Sequence, residues 1–344
     1  VLRHSGGVSV TDYFENYFDL KTSSEAKQAL ISAWKPQPLG IEVIPITQAL
    51  GRIIADDLYS SEDIPPFNRS TIDGYAVRAK DTFGATEALP AMLEIMGEVS
   101  MGQVPTDTIS IGQAVKIWTG GALPKGADAC VMVEYTQSPD ENTVLVERPA
   151  APGENVILKG EDIGKDRLVI EAGRFIRPYE VGAMAALGQT EARVVKRPKV
   201  AIVSTGDEII LPHQTPEPGQ IRDINTYSLA ASALSAGTLP ITLGIAKDEY
   251  SYTRAKVERG LASSDIVLLS GGSSVGARDV AVKVLQDLGP PGVFVHGISI
   301  KPGKPVIIAI CNGKPVFGLP GHPVSALVTF NVFVKFAIEH LFKS

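Results

Sequence analysis

DIVLLSGGSSVG, residues 265–276, is the stretch that decides the fold. Its apolar run at 266–269 is followed by glycines and serines, and a helical pattern begins after them. A short continuous apolar run is typical of a strand buried on both faces. Glycines in the next loop let the backbone approach an anion, which a helix N-terminus attracts. The stretch therefore predicts a parallel α/β sheet with an anion-binding loop, or a tight βα turn that needs glycine only for its geometry.

The rest of the C-terminal half repeats this alternation of strand and helix. Strands are predicted at residues 200–203, 239–245, 265–269, 293–298 and 306–310, and helices at 225–236, 250–261, 278–288 and 324–342. Such alternation indicates a doubly wound, mostly parallel sheet, whose ligands collect at the carboxyl ends of the strands. The glycine spacing matches neither the P-loop nor the dinucleotide fingerprint, which argues against an ATPase or a dehydrogenase.

The N-terminal half has a different sequence pattern. Short β-rich runs at 75–77, 91–99, 114–118, 129–133 and 143–146 are separated by Gly, Pro and Asp, which predicts a small β domain. Helices are predicted within 9–34, with Thr22 or Ser23 as N-cap, and after Pro178. We therefore predict three domains: a discontinuous α+β domain at 8–60 and 148–195, an inserted β-rich domain at 61–147, and the α/β domain at 196–344.

Composition excludes several classes of protein. The net charge of -6 over 344 residues argues against a nucleic-acid binder, which normally has a basic face. The chain has two cysteines, too few for a disulfide framework or a thiol zinc site, which favours a cytoplasmic protein. Lys335, Glu339 and His340 interrupt the apolar segment 324–342, so we predict no membrane span.

Two further loops of the C-terminal half are candidate anion sites. KPGKP, residues 301–305, places Lys301 and Lys304 on a stiff turn that suits a tetrahedral oxyanion. GLPGHPVS, residues 318–325, places Ser325 in the first turn of the last helix. The ordinary alternatives are two solvated lysines and a helix N-cap.

Polar residues also collect in two loops of the N-terminal half. PPFNRSTIDGYA, residues 65–76, contains Asp73, and IWTGGALPKGAD, residues 117–128, contains Thr119. Asp73 precedes a glycine and is by itself more typical of a turn cap. Carboxylates recur at loop positions throughout the chain, and hard oxygens in this number suit Mg²⁺. They are Glu161, Asp162, Asp207, Glu208, Asp223, Asp248 and Asp279.

Together these loops resemble the molybdopterin molybdenumtransferase family, which includes bacterial MoeA and the corresponding domain of gephyrin. The matching motifs, in order, are PPFNRSTIDGYAVRA, TGGALPKGADACVMVE, GED followed by IGKD, VAIVSTGDEI with GQIRDINTYSL, SGGSSVGARD, and IKPGKPV leading to GLPGHPVSA. The resemblance extends from about residue 40 to the end, and so many motifs in one order are specific to the family.

The resemblance implies a set of site residues. The catalytic residues it implies are Asp73, Thr119, Asp162, Glu208, Asp248 and Asp279. The substrate-binding residues are Asn225, Gly271, Gly272, Ser273, Ser274, Lys301, Lys304, Pro320, Gly321 and Ser325, of which Lys301, Lys304 and Ser325 would bind molybdate. The metal ligands are Asp223, Asp248 and Asp279.

The family's chemistry is also implied. Its members insert molybdate into adenylated molybdopterin and release AMP, with Mg²⁺ held by carboxylates. They act as homodimers through the discontinuous α+β domain, with Asp73 and Thr119 serving the partner's site. The molybdopterin adenylyltransferase is a candidate partner, whereas nucleic acid and membranes are not. The α/β domain would be of the molybdopterin-binding type.

Three departures from the family accompany these expectations. One is Gly297, four positions before Lys301, at a position that is basic in some members and is preceded here by His296. The family's first loop usually carries Asp-Asn or a similar pair where this chain has Asn68 and Arg69, which implies altered pterin contacts. Family members also continue into a small C-terminal β domain, so the resemblance implies that this sequence ends before it.

Two alternative functions stay open at this point. An enzyme like the molybdopterin adenylyltransferase would be an isolated α/β domain that binds ATP, and the first 195 residues argue against it. A gephyrin-like scaffold would not need the charged residues Asp73, Asp248, Asp279, Lys301 and Lys304, which favour catalysis.

Overall fold

A computed structural model describes residues 20–106, 108–271 and 275–344; the side chains of 275–279 lie outside the described part. The chain forms two compact units. The first, here the α/β unit, comprises Gly51–Ala55, Arg193–Ser344 and the described part of Val1–Ile44. The second, here the β unit, comprises Pro45–Leu50 and Asp56–Ala192. The three-domain division stays a prediction.

The α/β unit is built mainly from the C-terminal half. Its strands are β13 (Lys199–Thr205), β14 (Ile209–Ile210), β15 (Ile221–Arg222), β16 (Leu239–Ala246), β17 (Ile266–Gly271), β18 (Gly292–His296), β19 (Ile307–Cys311) and β20 (Lys314–Leu319). Its helices are α1 (Ser23–Ala33), α3 (Asn225–Ser235), α4 (Tyr250–Ser263), α5 (Val275–Asp287), α6 (Pro323–Thr329) and α7 (Lys335–Phe342), with a π-helical turn at Phe330–Val334 between the last two. Strands β1 (Ile41–Pro45) and β12 (Glu191–Val195) form a two-stranded sheet.

The main sheet has six strands in the order β16-β13-β17-β20-β19-β18. The pairs β13–β16, β13–β17 and β17–β20 are parallel, and β19 runs antiparallel to both of its neighbours. The predicted doubly wound, mostly parallel sheet is confirmed. The antiparallel direction of β19 was not predicted. It follows from the tight turn at Asn312–Gly313, which joins β19 to β20 and in which both residues have positive φ.

Alternate residues of the sheet belong to two separate cores. Ile202 and Leu268 pack in a cluster with α1, α3, α6 and α7, whereas Val203 and Leu269 pack with α4 and α5. This alternation follows from the period of two along a strand. The sheet is therefore buried on both faces, as the continuous apolar runs predict.

Helix α1 begins at the predicted cap. The Thr22 hydroxyl accepts from the Glu25 amide at 3.2 Å, and a Glu25 carboxylate oxygen accepts from the Thr22 amide at 2.8 Å. This reciprocal capping box satisfies two amides that the helix itself leaves unpaired. The predicted helical residues 9–19 lie outside the described part of the chain.

The last helical segment, Pro323–Phe342, is long and apolar enough by length and composition to cross a membrane, with a mean hydropathy of 1.4. The sequence analysis took Lys335, Glu339 and His340 to make this segment too polar for a membrane span, and that argument was wrong, because the segment passes the test of length and composition. Half of the segment is buried inside the protein, and Phe330, Phe333 and Ile338 belong to the core beneath the sheet. Such burial is typical of a core helix.

The β unit contains a second sheet of six strands, in the order β7-β4-β6-β5-β9-β8. These strands are β4 (Gly74–Val77), β5 (Ala91–Val99), β6 (Gln113–Ile117), β7 (Ala129–Met132), β8 (Thr136–Asp140) and β9 (Thr143–Val146). Two small sheets pair β3 (Arg69–Ser70) with β10 (Val156–Ile157), and β2 (Leu58–Tyr59) with β11 (Leu168–Ile170). Helix α2 (Pro178–Ala186) begins at the predicted proline.

The five predicted strands of this sheet are present, and β8 was missed. Strand β8 contains Ser138 and Pro139 and lies at the edge, where a proline costs no ladder hydrogen bond. A polar, proline-containing edge strand has no apolar alternation by which a sequence pattern could find it.

We expect both cysteines to react very slowly with iodoacetamide in the native protein. Cys130 and Cys311 are fully buried free thiols, and burial raises the pKa of each to about 11. Because only the thiolate reacts, their labelling rate at pH 8 should be at least about 100-fold below that of a free thiol. Mass spectrometry before and after denaturation measures this, and rapid labelling of either native thiol would contradict the buried placement.

Candidate active site

The register of the main sheet brings five predicted loops to one edge. Thr205 pairs with Ala246 and Gly271, and Ser270 pairs with Leu319, so β13, β16, β17 and β20 end in one row. Antiparallel pairing continues this row through Ile307 to His296 at the end of β18. The described loops that follow these strands, at 206–208, 247–249, 297–306 and 320–322, therefore share the carboxyl edge with Gly271 at the end of β17, and ligands bind at this edge in doubly wound sheets.

Gly271 ends β17 in a conformation that glycine alone tolerates well. Its φ is +129°, and a Cβ at this position would lie 2.0 Å from the backbone oxygen of Thr205. The backbone of β13 therefore fits closely against β17 where the glycine-rich loop begins. The glycine is required by packing, whatever the loop binds. The next expected ligands, Gly272, Ser273 and Ser274, lie outside the described residues, as does the side chain of Asp279.

Asn225, at the start of α3, is held beside this loop. Its side-chain nitrogen donates to Ser270 Oγ and to the backbone oxygen of Gly321, both at 2.8 Å. These bonds use both amide hydrogens and fix the side chain, which is 7% exposed. Its Oδ1 is buried and accepts no hydrogen bond from the described part of the protein. A buried acceptor without a donor is uncommon in native proteins and suits a ligand N–H or O–H group.

Asp223 has a structural role at the same edge. Its Oδ1 accepts from Ser204 Oγ at 2.9 Å and from the Thr226 amide at 3.0 Å. The residue is 6% exposed, and these bonds cap the first turn of α3. The expected role of Asp223 as a metal ligand stays a prediction. A metal would have to bind Asp223 Oδ2, because both of these hydrogen bonds use Oδ1.

Asp248 lies in an acidic environment. Burial raises the pKa of its carboxyl, and the nearby carboxylates Asp207 and Glu208 raise it further. The Asp248 amide also approaches Asp207 Oδ1 at 3.4 Å. Within the described residues no group of three or more His, Cys, Asp or Glu side chains is arranged as a metal site. The donor chemistry nevertheless fits Mg²⁺, because the oxygens are hard and a cation would relieve the repulsion that raises the Asp248 pKa.

The two predicted lysines lie on a turn that packs against α6. Lys301 is exposed and Lys304 is half-buried. Between them, Gly303 has φ +116°, and a Cβ there would lie 2.6 Å from Thr329 Cγ2. The Lys304 backbone oxygen accepts from the amides of Ile298 and Val306 at 2.8 and 3.0 Å. The backbone of the turn is therefore fixed on both sides, whereas the ammonium groups can face a ligand.

The β unit brings Asp73 and Thr119 together. The Thr119 amide and hydroxyl both donate to Asp73 Oδ1, each at 2.7 Å. Backbone bonds join the two loops, since Gly120 donates to Ser70 at 2.8 Å and Leu123 donates to Asn68 at 2.9 Å. By itself, Asp73 was expected to cap its own turn, which would involve only neighbouring residues. Its observed partner is Thr119, which lies 46 residues away in the chain.

Asp162 lies beside the same loop. Its carboxylate is 3.6 Å from Nη2 of Arg69, and its amide donates to the Ile64 backbone oxygen at 3.0 Å. Asp73, Thr119 and Asp162 therefore belong to one loop cluster of the β unit, whereas Glu208, Asp248, Lys301, Lys304 and Ser325 belong to the edge of the α/β unit. Arg69, Thr205 and Ser270 were not predicted as site residues, although the departure at Asn68 and Arg69 pointed to the first of them.

We expect the Asp73 carboxyl to have a pKa below its ordinary value. The hydrogen bonds from the Thr119 amide and hydroxyl lower its pKa. Because the folded-state pKa is lowered, the contact favours folding above the ordinary pKa and is lost as pH falls through the lowered value. In Thr119→Val the pKa should move up toward, but not reach, the ordinary value, because the amide bond remains. Carbon-13 NMR titration of the carboxyl measures this; an identical pKa in both proteins would contradict the hydroxyl's contribution.

Comparison with known proteins agrees with this division of the chain. Residues 21–188 match the MoeA N-terminal region (domain I and II), and residues 201–340 match a probable molybdopterin binding domain. The chain is 37% identical over 303 residues to the molybdopterin molybdenumtransferase of a Nostoc species, covering 87% of this chain and 69% of the relative. It is 35% identical over 334 residues to a putative molybdopterin biosynthesis protein of Methanocaldococcus jannaschii, covering 94% and 81%.

A solved structure supports the same assignment. The molybdopterin biosynthesis MoeA protein of Pyrococcus horikoshii OT3 is 34% identical, with a TM-score of 0.81, covering 95% of this chain and 80% of that one. Identity above 30% over most of both chains, with both halves matched in order, establishes the family. The chain belongs to the molybdopterin molybdenumtransferase family of transferases, whose members take part in molybdenum cofactor biosynthesis.

Proposed function

We propose that this chain inserts molybdate into adenylated molybdopterin and releases AMP in an Mg²⁺-dependent reaction. One observation carries the proposal: a turn with two lysines, the end of β17 at Gly271 and a buried acceptor without a donor among the described residues share the carboxyl edge of one sheet. This combination offers binding groups for an oxyanion, for a phosphate and for a hydrogen-bond donor such as a pterin N–H group.

Each described group has a distinct part in the proposed reaction. Lys301 and Lys304 bind the molybdate dianion, and Ser325, 8% exposed at the start of α6, flanks it. Asn225 Oδ1 accepts from a pterin donor. Gly271, Gly272, Ser273 and Ser274 bind the phosphate link to AMP, together with Pro320 and Gly321. A molybdate oxygen attacks phosphorus, and AMP leaves as the phosphoanhydride bond breaks. No covalent enzyme intermediate is needed, because the residues act by positioning and by charge.

Carboxylates supply the remaining parts. Asp223, Asp248 and Asp279 would hold Mg²⁺, which neutralises phosphate charge when bound. Glu208 is near enough to Asp248 to raise its pKa, and it would add a further carboxylate to this site. We further propose a cytoplasmic homodimer in which Asp73, Thr119 and Asp162 of one subunit serve the site of the other. The molybdopterin adenylyltransferase would then be the partner that delivers the substrate.

The test is AMP release from adenylated molybdopterin with Mg²⁺, measured with and without molybdate. The wild-type chain should release AMP only when molybdate is present. Asp248→Asn should reduce the rate by about 100-fold, the usual cost of removing a group that stabilises charge at a catalytic site. Its thermal stability should not fall, because the substitution removes a carboxylate whose pKa is raised first by burial and then by repulsion from Asp207 and Glu208.

Glu339→Gln, which removes an exposed carboxylate on α7, is the matched control and should retain full activity. AMP release at equal rates with and without molybdate would exclude the transferase and indicate a hydrolase of the adenylate. Loss of activity in the control would show that the assay responds to net charge, not to the Asp248 carboxylate.

A further inference from the structure

The loop cluster of the β unit contains a cation that the proposed reaction has not yet used. Arg69 lies in β3, at the position where the chain departs from the family's usual first loop. It pairs across a two-stranded ladder with Ile157 and forms a bridge with Ala122. Its backbone is therefore fixed between the segment that contains Asp162 and the loop that contains Thr119.

The donors of Arg69 are poorly satisfied. Its Nε is buried and has no hydrogen-bond partner among the described residues. Its Nη2 lies 3.6 Å from Asp162 Oδ2, an ion-pair distance that is longer than a hydrogen bond. The side chain is 38% exposed, so the outer face of the guanidinium can still meet a ligand. Buried donors in native proteins are normally paired, and a guanidinium with unused donors is suited to a phosphate.

The surroundings explain why a cation is needed here. Asp73 and Asp162 both lie in this cluster, and the Thr119 bonds keep Asp73 ionised by lowering its pKa. Two carboxylates would repel an anionic substrate. The ammonium of Lys159 is 3.5 Å from Asp63 Oδ2, and the Lys159 amide donates to Asn68 Oδ1, so that lysine already has an acidic partner. Arg69 is the cation that faces Asp162.

We propose that Arg69 binds a phosphate oxygen of the substrate, and that Asp162 is the ion-pair partner of the guanidinium only until the phosphate replaces it. This inference rests on the proposed function for the identity of the substrate. It assigns the β unit a binding role for the phosphoanhydride, in addition to the carboxylate chemistry expected of Asp73 and Asp162. The planar fork of arginine makes two parallel bonds to a phosphate, which lysine cannot reproduce.

ADP is the probe, because it contains a phosphoanhydride and an adenosine and its binding does not require turnover. Calorimetric titration of the full chain should show that Arg69→Ala weakens ADP binding by about tenfold or more, the usual loss for charge-assisted hydrogen bonds. Arg69→Lys should fall between wild type and Arg69→Ala. Asp162→Asn should bind ADP as well as wild type or better, since it removes a competing negative charge. Arg174→Ala, at an exposed arginine of the same unit, is the matched control.

The outcomes separate this inference from the proposed function. If Arg69→Ala and Asp162→Asn weaken ADP binding equally, Arg69 is only the ion-pair partner of Asp162 and the inference is wrong. It is also wrong if Arg69→Ala binds ADP like wild type, with circular dichroism showing the same fold. If wild type binds ADP through Arg69 but never releases AMP in the presence of molybdate, the phosphate anchor stands and the proposed function fails. In an active enzyme, Arg69→Ala should raise the KM for adenylated molybdopterin more than it lowers kcat.

Discussion

The double variant Lys301→Ala, Lys304→Ala is expected to lose molybdate-dependent AMP release by at least about three orders of magnitude. Removing one preorganised group that stabilises charge at a catalytic site costs about 10²–10³ in rate, and the two lysines share one turn. Their backbone is fixed by Gly303 against Thr329 and by the two bonds to the Lys304 oxygen, so anion binding would have to order only the two side chains.

The single variants test how much each lysine contributes to molybdate binding. Lys301→Ala and Lys304→Ala should both raise the KM for molybdate, and the half-buried Lys304 should have the larger effect, because desolvation strengthens its interaction with an anion. Lys343→Ala, an exposed lysine near the end of the chain, is the control and should behave like wild type. A double variant with the wild-type KM for molybdate would show that the turn does not bind the oxyanion.

Gly271→Ala is expected to destabilise the α/β unit by about 3 kcal/mol or more and to abolish substrate binding. Two causes add: the positive φ is strained for alanine, and the new Cβ would lie 2.0 Å from the Thr205 backbone oxygen. The backbone of β13 would have to move away from β17 where the two strands end. For a unit of this size the melting temperature should fall by about 6–12 °C.

The matched control is Gly313→Ala, in the turn between β19 and β20. Gly313 has φ +76°, and a Cβ there meets no atom within 4 Å. Its substitution should therefore cost only the strain of the positive φ, about 1 kcal/mol. Calorimetry of both variants isolates the contribution of the close strand contact. Equal melting temperatures would show that β13 and β17 can separate at this point without cost.

Local patterns in the sequence were enough to predict most of the fold. Continuous apolar runs identified the buried strands β13 and β17, an N-cap at Thr22 or Ser23 marked the start of α1, and Pro178 marked the start of α2. These signals are local, because period, capping and proline geometry are decided within a few residues. The motifs also identified the family and the loops that carry the candidate site residues.

Contacts between distant segments were decided only by the tertiary structure. The pairing of Asp73 with Thr119, the bond from Asn225 to the Gly321 oxygen and the ion pair of Arg69 with Asp162 join residues between 46 and 96 positions apart. The antiparallel β19 and the π-helical turn at Phe330–Val334 are likewise set by packing. A sequence pattern shows which side chains can reach a sheet edge, but the register between strands determines which of them meet there. The sequence by itself therefore determined the family, the α/β sheet and the list of candidate residues, and the tertiary structure decided how those residues are partnered.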